Sequence, residues 1–180
     1  YPIGELATGL SFAVLYVHFG YTPELLVGLL FVSILIMITQ TDLQEMIIPN
    51  RIVLFGVIGA IGLRIWHHEL PLWDYFTAAF IGSGILLLIG LMTGWWLKKE
   101  TMGGGDVKLY VFIGLVLGIQ LTLLSIFAAS FIGLVYGLYM RFSKKLERYK
   151  EIPFGPFIAA GSLIVYLWGD PFIAFYLSLL

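Results

Sequence analysis

Long apolar runs separated by short polar stretches make up most of the chain. They fall at roughly 5–20, 24–40, 50–66, 74–97, 107–119, 121–140 and 154–168. A membrane-spanning helix needs about 20 mostly apolar residues. The pattern therefore predicts an all-α fold, a polytopic membrane helix bundle of about seven transmembrane helices. Only Gly118-Ile119-Gln120 separates the fifth span from the sixth. A short apolar tail, Phe172 to Leu180, is too brief to cross unaided. The prolines (Pro2, Pro23, Pro49, Pro71, Pro153, Pro156 and Pro171) all lie at or beyond the proposed span ends. Proline breaks the hydrogen-bond ladder of a helix and is accepted in its first turn, so this placement supports the boundaries independently.

Composition sharpens the class. Of 180 residues, 60% are hydrophobic and 12% charged, about half the roughly 25% of a soluble domain. Too few polar side chains remain to cover a water-soluble globule. A cytosolic enzyme, a disordered chain and a nucleic-acid-binding domain are excluded. Seven spans use about 140 residues, so residues 1–180 form a single integral-membrane domain with no separate soluble part. The chain has no cysteine, which removes disulfides, thiolate zinc sites and cysteine nucleophiles. It opens Tyr1-Pro2 without a basic n-region, so no signal peptide is expected.

Lysine and arginine set the orientation. Arg51, then Lys98, Lys99 and Lys108, then Arg141, Lys144, Lys145, Arg148 and Lys150 lie in or beside three loops of one face. Arg64 alone falls near the other face, with His18, His67, His68, Glu69, Asp74 and Asp170. The basic face is expected to be cytoplasmic, and the basic stretch from Arg141 to Lys150 to meet anionic lipid. Small residues at four-residue spacing (Gly56 and Ala60, Gly114 and Gly118, Gly133 and Gly137) predict close helix packing.

Ionisable residues at a membrane edge are costly, which makes them functional candidates. Glu24, Glu69, Asp74 and Asp170 are expected in solvated external loops, and Glu100, Glu147 and Glu151 among cytoplasmic basic residues. Glu5, Asp42 and Asp106 stand apart. Asp42 follows the apolar run Phe31 to Ile38 and precedes Ile48-Pro49-Asn50, where the chain must turn at the headgroups. Asp106 follows Gly103-Gly104-Gly105 and opens the next span. The glycines permit positive φ and close backbone approach, and a helix N-terminus favours an ionised Asp106. Asp before a helix is also a common cap. As neighbours on one face, however, the two acids can share a proton. One then takes a proton from water while the other protonates a scissile carbonyl, the chemistry of an aspartic peptidase. The histidines lie on the external side, too far away to act as the base.

Taken together, these segments resemble the type IV prepilin peptidases, a family of membrane aspartic peptidases. Gly103-Gly104-Gly105-Asp106-Val107-Lys108-Leu109 is similar to that family's G-x-G-D-x-K-L. Asp42 with Ile48-Pro49-Asn50 is similar to its D-(x)5-[IL]-P-[DN], and the two aspartates stand 64 positions apart, as is typical of the family. Tyr1-Pro2-Ile3-Gly4-Glu5 resembles its Y-P-x-x-E, and Pro153-Phe154-Gly155-Pro156-Phe157 its late P-F-G-P-F. The resemblance implies removal of a short basic leader from type IV prepilins or type II secretion pseudopilins at the cytoplasmic face of the plasma (inner) membrane. Asp42 and Asp106 would be the catalytic pair, with Gly103 and Gly105 shaping the loop that presents Asp106.

Pro49, Asn50, Lys108 and Glu5 are further candidates for binding substrate or shaping the site. Lys108 lies two residues from Asp106, so the two do not face each other on a helix. It could tune Asp42 or contact lipid phosphate. Glu5 could bind substrate or S-adenosylmethionine, or simply pair at the membrane edge. Peptidase chemistry of this kind uses no metal and no cofactor. Bifunctional family members also N-methylate the new terminus with S-adenosylmethionine, and carry a cysteine-rich zinc segment ahead of Y-P-x-x-E. That region is absent here, so either the chain is truncated or it is a peptidase-only core without zinc. The alternatives within the class are an archaeal preflagellin peptidase or a presenilin-type intramembrane protease. From other classes come a small cation-coupled transporter and a structural assembly subunit.

Overall fold

A computed structural model describes residues 2–98, 103–143 and 152–178. Among them are six helices and no strand: α1 (Pro2–Phe19), α2 (Pro23–Glu45), α3 (Asn50–Trp66), α4 (Leu72–Leu97), α5 (Gly104–Phe142) and α6 (Gly155–Leu177). Of these, α2, α4, α5 and α6 are long and apolar enough to cross a membrane by length and composition. Lys99, Glu100, Lys144, Lys145, Glu147, Arg148, Lys150 and Glu151, on which part of the expected basic face rests, lie outside the described residues.

Helix ends fall where the backbone chemistry demands. Pro23 opens α2 after an extended Thr22, because its fixed φ suits the first turn. At the other end Met46 enters the left-handed region (φ 54°), and its N–H donates to the Asp42 carbonyl. Pro49, extended at φ −67°, then starts α3, its carbonyl accepting from Ile52 and Val53 N–H. Pro171 departs from the expected pattern. It lies inside α6, so the apolar tail from Phe172 continues the last span.

The stretches expected as a fifth and a sixth span form the two arms of one helix, α5, which breaks at Gly118 (φ 75°, ψ 175°). Six helices thus stand among the described residues where about seven spans were expected. A Cβ placed on Gly82 of α4 would touch both Thr122, at 2.6 Å, and Tyr110, at 3.6 Å. Twelve residues of straight helix extend about 18 Å, so the arms must fold back beside α4. Asp74 receives the N–H of Ile119 at 3.0 Å and so caps the second arm. In this role Asp74 is a structural acceptor, not the solvated loop residue expected from sequence.

The first arm is the centre of the bundle. Residues 112–118 are all buried; Leu109, Tyr110, Phe112, Ile113 and Val116 share one core with Val27, Phe31, Ile34 and Ile38 of α2, the Phe112 ring 5.7 Å from that of Phe31. An arm apolar on every face must have neighbours on every face. Glycines set the closest approaches: Gly114 lies against the backbone of Ala78 and Ala79, and Gly161 of α6 against that of Ala129. Gly133 meets Phe154 and Phe157, whereas Gly137 has nothing within 4 Å and does not mark a helix contact.

Two polar ends result. One gathers the end of α2 and the starts of α3, α5 and α6. The other gathers the start of α2, the end of α3, the start of α4 and the Gly118 reversal. At this second end Arg64 binds Glu24 through two bonds, at 2.7 and 3.0 Å, and donates to the Val116 carbonyl. Tyr166 donates its hydroxyl to Glu24 at 2.8 Å. Both charged residues are 5% exposed. Glu24 is therefore not the solvated loop acid expected from sequence. A charge at such a position is tolerated only when it is paired and hydrogen-bonded. Glu24, His67 and Glu69 bring ligand atoms within 4.8 Å of one another. Arg64 and Tyr166 already take the Glu24 oxygens, and a guanidinium there repels a cation, so this donor set does not suit a metal.

Candidate active site

The first polar end holds both candidate aspartates. Asp42 lies in the last turn of α2 and is 6% exposed; Asp106 lies in the first turn of α5 and is 8% exposed. Each is an acid set into the wall of the bundle, and the Asp42 carboxylate is near enough to act electrostatically on Asp106.

Each acid has its own support. Oδ2 of Asp42 accepts the N–H of Gly155, the first residue of α6, at 2.8 Å. Helix N-termini present N–H groups that lack partners within the helix, and Pro156 next door has none to offer. Gly155 also needs to be glycine: a Cβ there would stand 2.6 Å from Asp42 Oδ2. Asp106 donates its backbone N–H to the Gly103 carbonyl at 3.1 Å, which starts α5.

The triple glycine works by space, not by unusual torsion. Among the described residues positive φ at glycine occurs at Gly20 and Gly118, and Gly103 is extended at φ −68°. The positive φ that glycine permits is thus not used at 103–105. The expected close approach is present at Gly105, where a Cβ would meet Ile48 at 2.8 Å. Ile48 belongs to the turn after Asp42, so this contact brings the two aspartate segments against each other. A Cβ on Gly103 would come no closer than 3.9 Å to the Asp106 carboxylate, and Gly104 has open space.

Lys108 donates to Asn50 Oδ1 at 3.0 Å, a second tie between the start of α5 and the α2–α3 turn. It therefore braces the turn that follows Asp42. Pro49 sets the first turn of α3 beside it. Glu5 is exposed in the first turn of α1. Its neighbour Gly4 seats the side-chain amide of Gln40, two residues before Asp42, so the start of α1 reaches the rim of this end.

The structure thus gathers Asp42, Asp106, Gly103, Gly105, Pro49, Asn50 and Lys108, with Glu5 at the edge. Gly155 was not among the candidate site residues. Its signal in the sequence was the glycine ahead of Pro156, which pattern alone could assign to a turn. A cavity of about 200 Å³, lined by Glu24, Arg64, Asp74, Tyr166 and Asp170 among others, lies at the opposite end.

Comparison with known proteins converges on the same segments. Residues 29–138, which include both aspartates, match the type IV leader peptidase family. The chain is 34% identical over 179 residues to the prepilin leader peptidase/N-methyltransferase of Bacillus subtilis (strain 168), covering 99% of this chain and 70% of that protein. It is 31% identical over 182 residues to the protein of the same name from Aeromonas salmonicida (strain A449), again 99% of this chain but 61% of that protein. With its Pseudomonas aeruginosa namesake it shares 33% over 184 residues, spanning 61% of that protein. No solved structure matches. With a family match over more than half its length and a 34%-identical relative aligned along almost all of it, the chain belongs to the type IV leader peptidase family.

Proposed function

We propose that this chain is a membrane aspartic endopeptidase that removes the basic leader of type IV prepilins or type II secretion pseudopilins. The cut falls at the cytoplasmic boundary of the plasma membrane. One observation carries the reading. Two buried acids, 64 positions apart in sequence, meet at one end of the bundle, beside the polar start of α6.

In this mechanism the Gly155 N–H turns its positive end toward Asp42, which suits Asp42 to be the ionised partner. Asp42 takes a proton from water as the oxygen attacks the scissile carbonyl carbon. Asp106, the protonated partner here although a helix N-terminus by itself favours an ionised one, gives its proton to the carbonyl oxygen, leaving a neutral gem-diol. The diol then collapses: the C–N bond breaks, the amine leaves with a proton from Asp42, and Asp106 recovers its own from the diol hydroxyl. Protons balance over the cycle, and the pair returns to its shared-proton state. The site lies at a helix end near the headgroups, where a leader can stay in water while the pilin helix stays in lipid.

The reading covers hydrolysis alone. S-adenosylmethionine, where a fuller chain uses it, supplies an activated methyl group. Its sulfonium is opposite in charge to Glu5, an exposed acid at the rim of this end. The test is cleavage of a purified prepilin in detergent, with the mass of the product terminus read directly. Asp42→Asn and Asp106→Asn are each expected to lower the rate at least about 10³-fold, with the unfolding temperature retained. Cleavage at the wild-type rate by Asp106→Asn overturns the mechanism. A cut within the pilin helix instead favours the presenilin-type alternative.

A further inference from the structure

Among the described residues, the buried polar side chains form three sets. Two are the aspartates and the Glu24–Arg64 pair, with Tyr166 at its edge. The third is a group of hydroxyls on α5 and α6: Tyr110, Thr122, Ser125 and Ser162, each at most 1% exposed. They come from three directions. Tyr110 is on the first arm of α5, Thr122 and Ser125 are on the second, and Ser162 is on α6. The Ser125 and Ser162 side chains stand beside the Tyr110 hydroxyl, close enough to act on it but outside hydrogen-bonding geometry. Thr122 lies against Gly82, as does the Tyr110 ring.

Convergence has not given these groups partners. Ser125 donates back to the Thr122 carbonyl at 2.7 Å. The hydroxyl oxygens of Tyr110, Thr122 and Ser162 have no protein group in hydrogen-bonding geometry. Each buried hydroxyl left unpaired costs about 1–3 kcal/mol, and bulk water does not reach the core of a bilayer. The surroundings are otherwise apolar: Leu109, Phe112, Ile113 and Ile158 are all fully buried nearby in the core. A phenylalanine at 110 would pack there without any polar demand. Buried hydroxyls that do not satisfy one another directly call for a small molecule that both donates and accepts. Water is such a molecule, and a buried water typically uses two to four polar partners.

The location connects this group to the aspartates. Tyr110 is four residues after Asp106, one helical turn below it on the same face. It is also close enough for Asp106 to act on it electrostatically. Ser162 lies seven residues after Gly155, on the helix whose first N–H holds Asp42, so about 10 Å beneath it. The hydroxyl group therefore lies on the membrane-core side of the acid pair, where cytosolic water does not approach.

We propose that Tyr110, Ser162 and Thr122 hold an ordered internal water beneath Asp106, and that Tyr110 is a positioning residue that orients the Asp106 carboxyl through it. This inference rests on the two-aspartate reading. The test uses prepilin cleavage by the purified chain, with kcat and KM separated. Tyr110→Phe, which removes only the hydroxyl, is expected to lower kcat about tenfold, a barrier change of about 1.4 kcal/mol. KM should stay within about twofold, and the unfolding temperature should be unchanged or slightly lowered, because the water keeps one partner fewer. Ser162→Ala is expected to behave alike. The double variant should lose little more than the worse single one, because both remove the same water.

Wild-type kcat in folded Tyr110→Phe overturns the proposal, as do losses that multiply in the double variant or effects confined to KM. Should Tyr110→Phe not fold, Ser162→Ala and the near-isosteric Thr122→Val carry the same expectation and decide it. Asp106→Asn, run in parallel, separates the two readings. Cleavage by Asp106→Asn sinks the aspartate mechanism itself; an inactive Asp106→Asn beside a fully active Tyr110→Phe sinks only the water.

Discussion

Asp42 depends on one backbone donor, and that donor depends on a missing side chain. The 2.8 Å bond from Gly155 exists because nothing projects from its Cα toward Asp42 Oδ2. Gly155→Ala places a methyl 2.6 Å from that oxygen, so the carboxylate must turn away. A catalytic group displaced by about 1 Å can cost about 10²-fold in rate. Gly155→Ala is therefore expected to lower prepilin cleavage by roughly 10- to 100-fold while the protein still purifies as a folded species. Rates measured beside thermal unfolding in the same detergent check this. Gly105 is a similar case one layer away, since it fixes the distance between the Asp106 helix and Ile48.

At the scale of elements, the reversal in α5 turns an apolar stretch of 39 residues into two packed arms. A straight helix of that length would extend about 58 Å, nearly twice the roughly 30 Å hydrocarbon core. Gly118 adopts φ 75°, ψ 175°, a region open essentially to glycine alone. Any Cβ there would also meet Asp74 Oδ2 at 2.5 Å and Leu70 at 2.6 Å. Gly118→Ala is accordingly expected to cost at least about 1–3 kcal/mol, read as a lower midpoint of unfolding in denaturant. The hydroxyl group between the arms would move with it, so the remaining folded enzyme should also turn over more slowly.

Across the whole molecule the two polar ends do different work. The aspartate end carries the proposed chemistry, while the opposite end is held by a buried ion pair joining α2, α3, α5 and α6. Arg64 also lies over the Tyr75 ring of α4, 4.6 Å from its centroid. Removing one partner of a buried pair leaves an uncompensated charge, typically at a cost of about 3–5 kcal/mol. Arg64→Met is expected to lose about that much stability, and Glu24→Gln in the same chain to restore part of it. Denaturant unfolding measures both. Because the pair lies at the far end of α2 from Asp42, kcat of the folded fraction should be unaffected.

The apolar runs, the prolines at their edges and the lysine and arginine asymmetry are local properties. They made an all-helical membrane bundle and most of its boundaries legible from sequence. The aspartates with their flanking Gly103-Gly104-Gly105 and Ile48-Pro49-Asn50 were legible as well, because a carboxylate beside an apolar span is conspicuous in the chain itself. What sequence could not yield was partnership across distance. Whether Glu24 is bathed in water or paired with Arg64, and whether Asp74 is free or caps Ile119, depends on which helix ends pack together. The choice of Gly155 as the donor to Asp42 depends on the same packing, as does the burial of hydroxyls from both arms of α5 and from α6 in one core. Each of these is set by helix packing between positions tens of residues apart, and hydropathy, which counts residues one window at a time, carries no information about it.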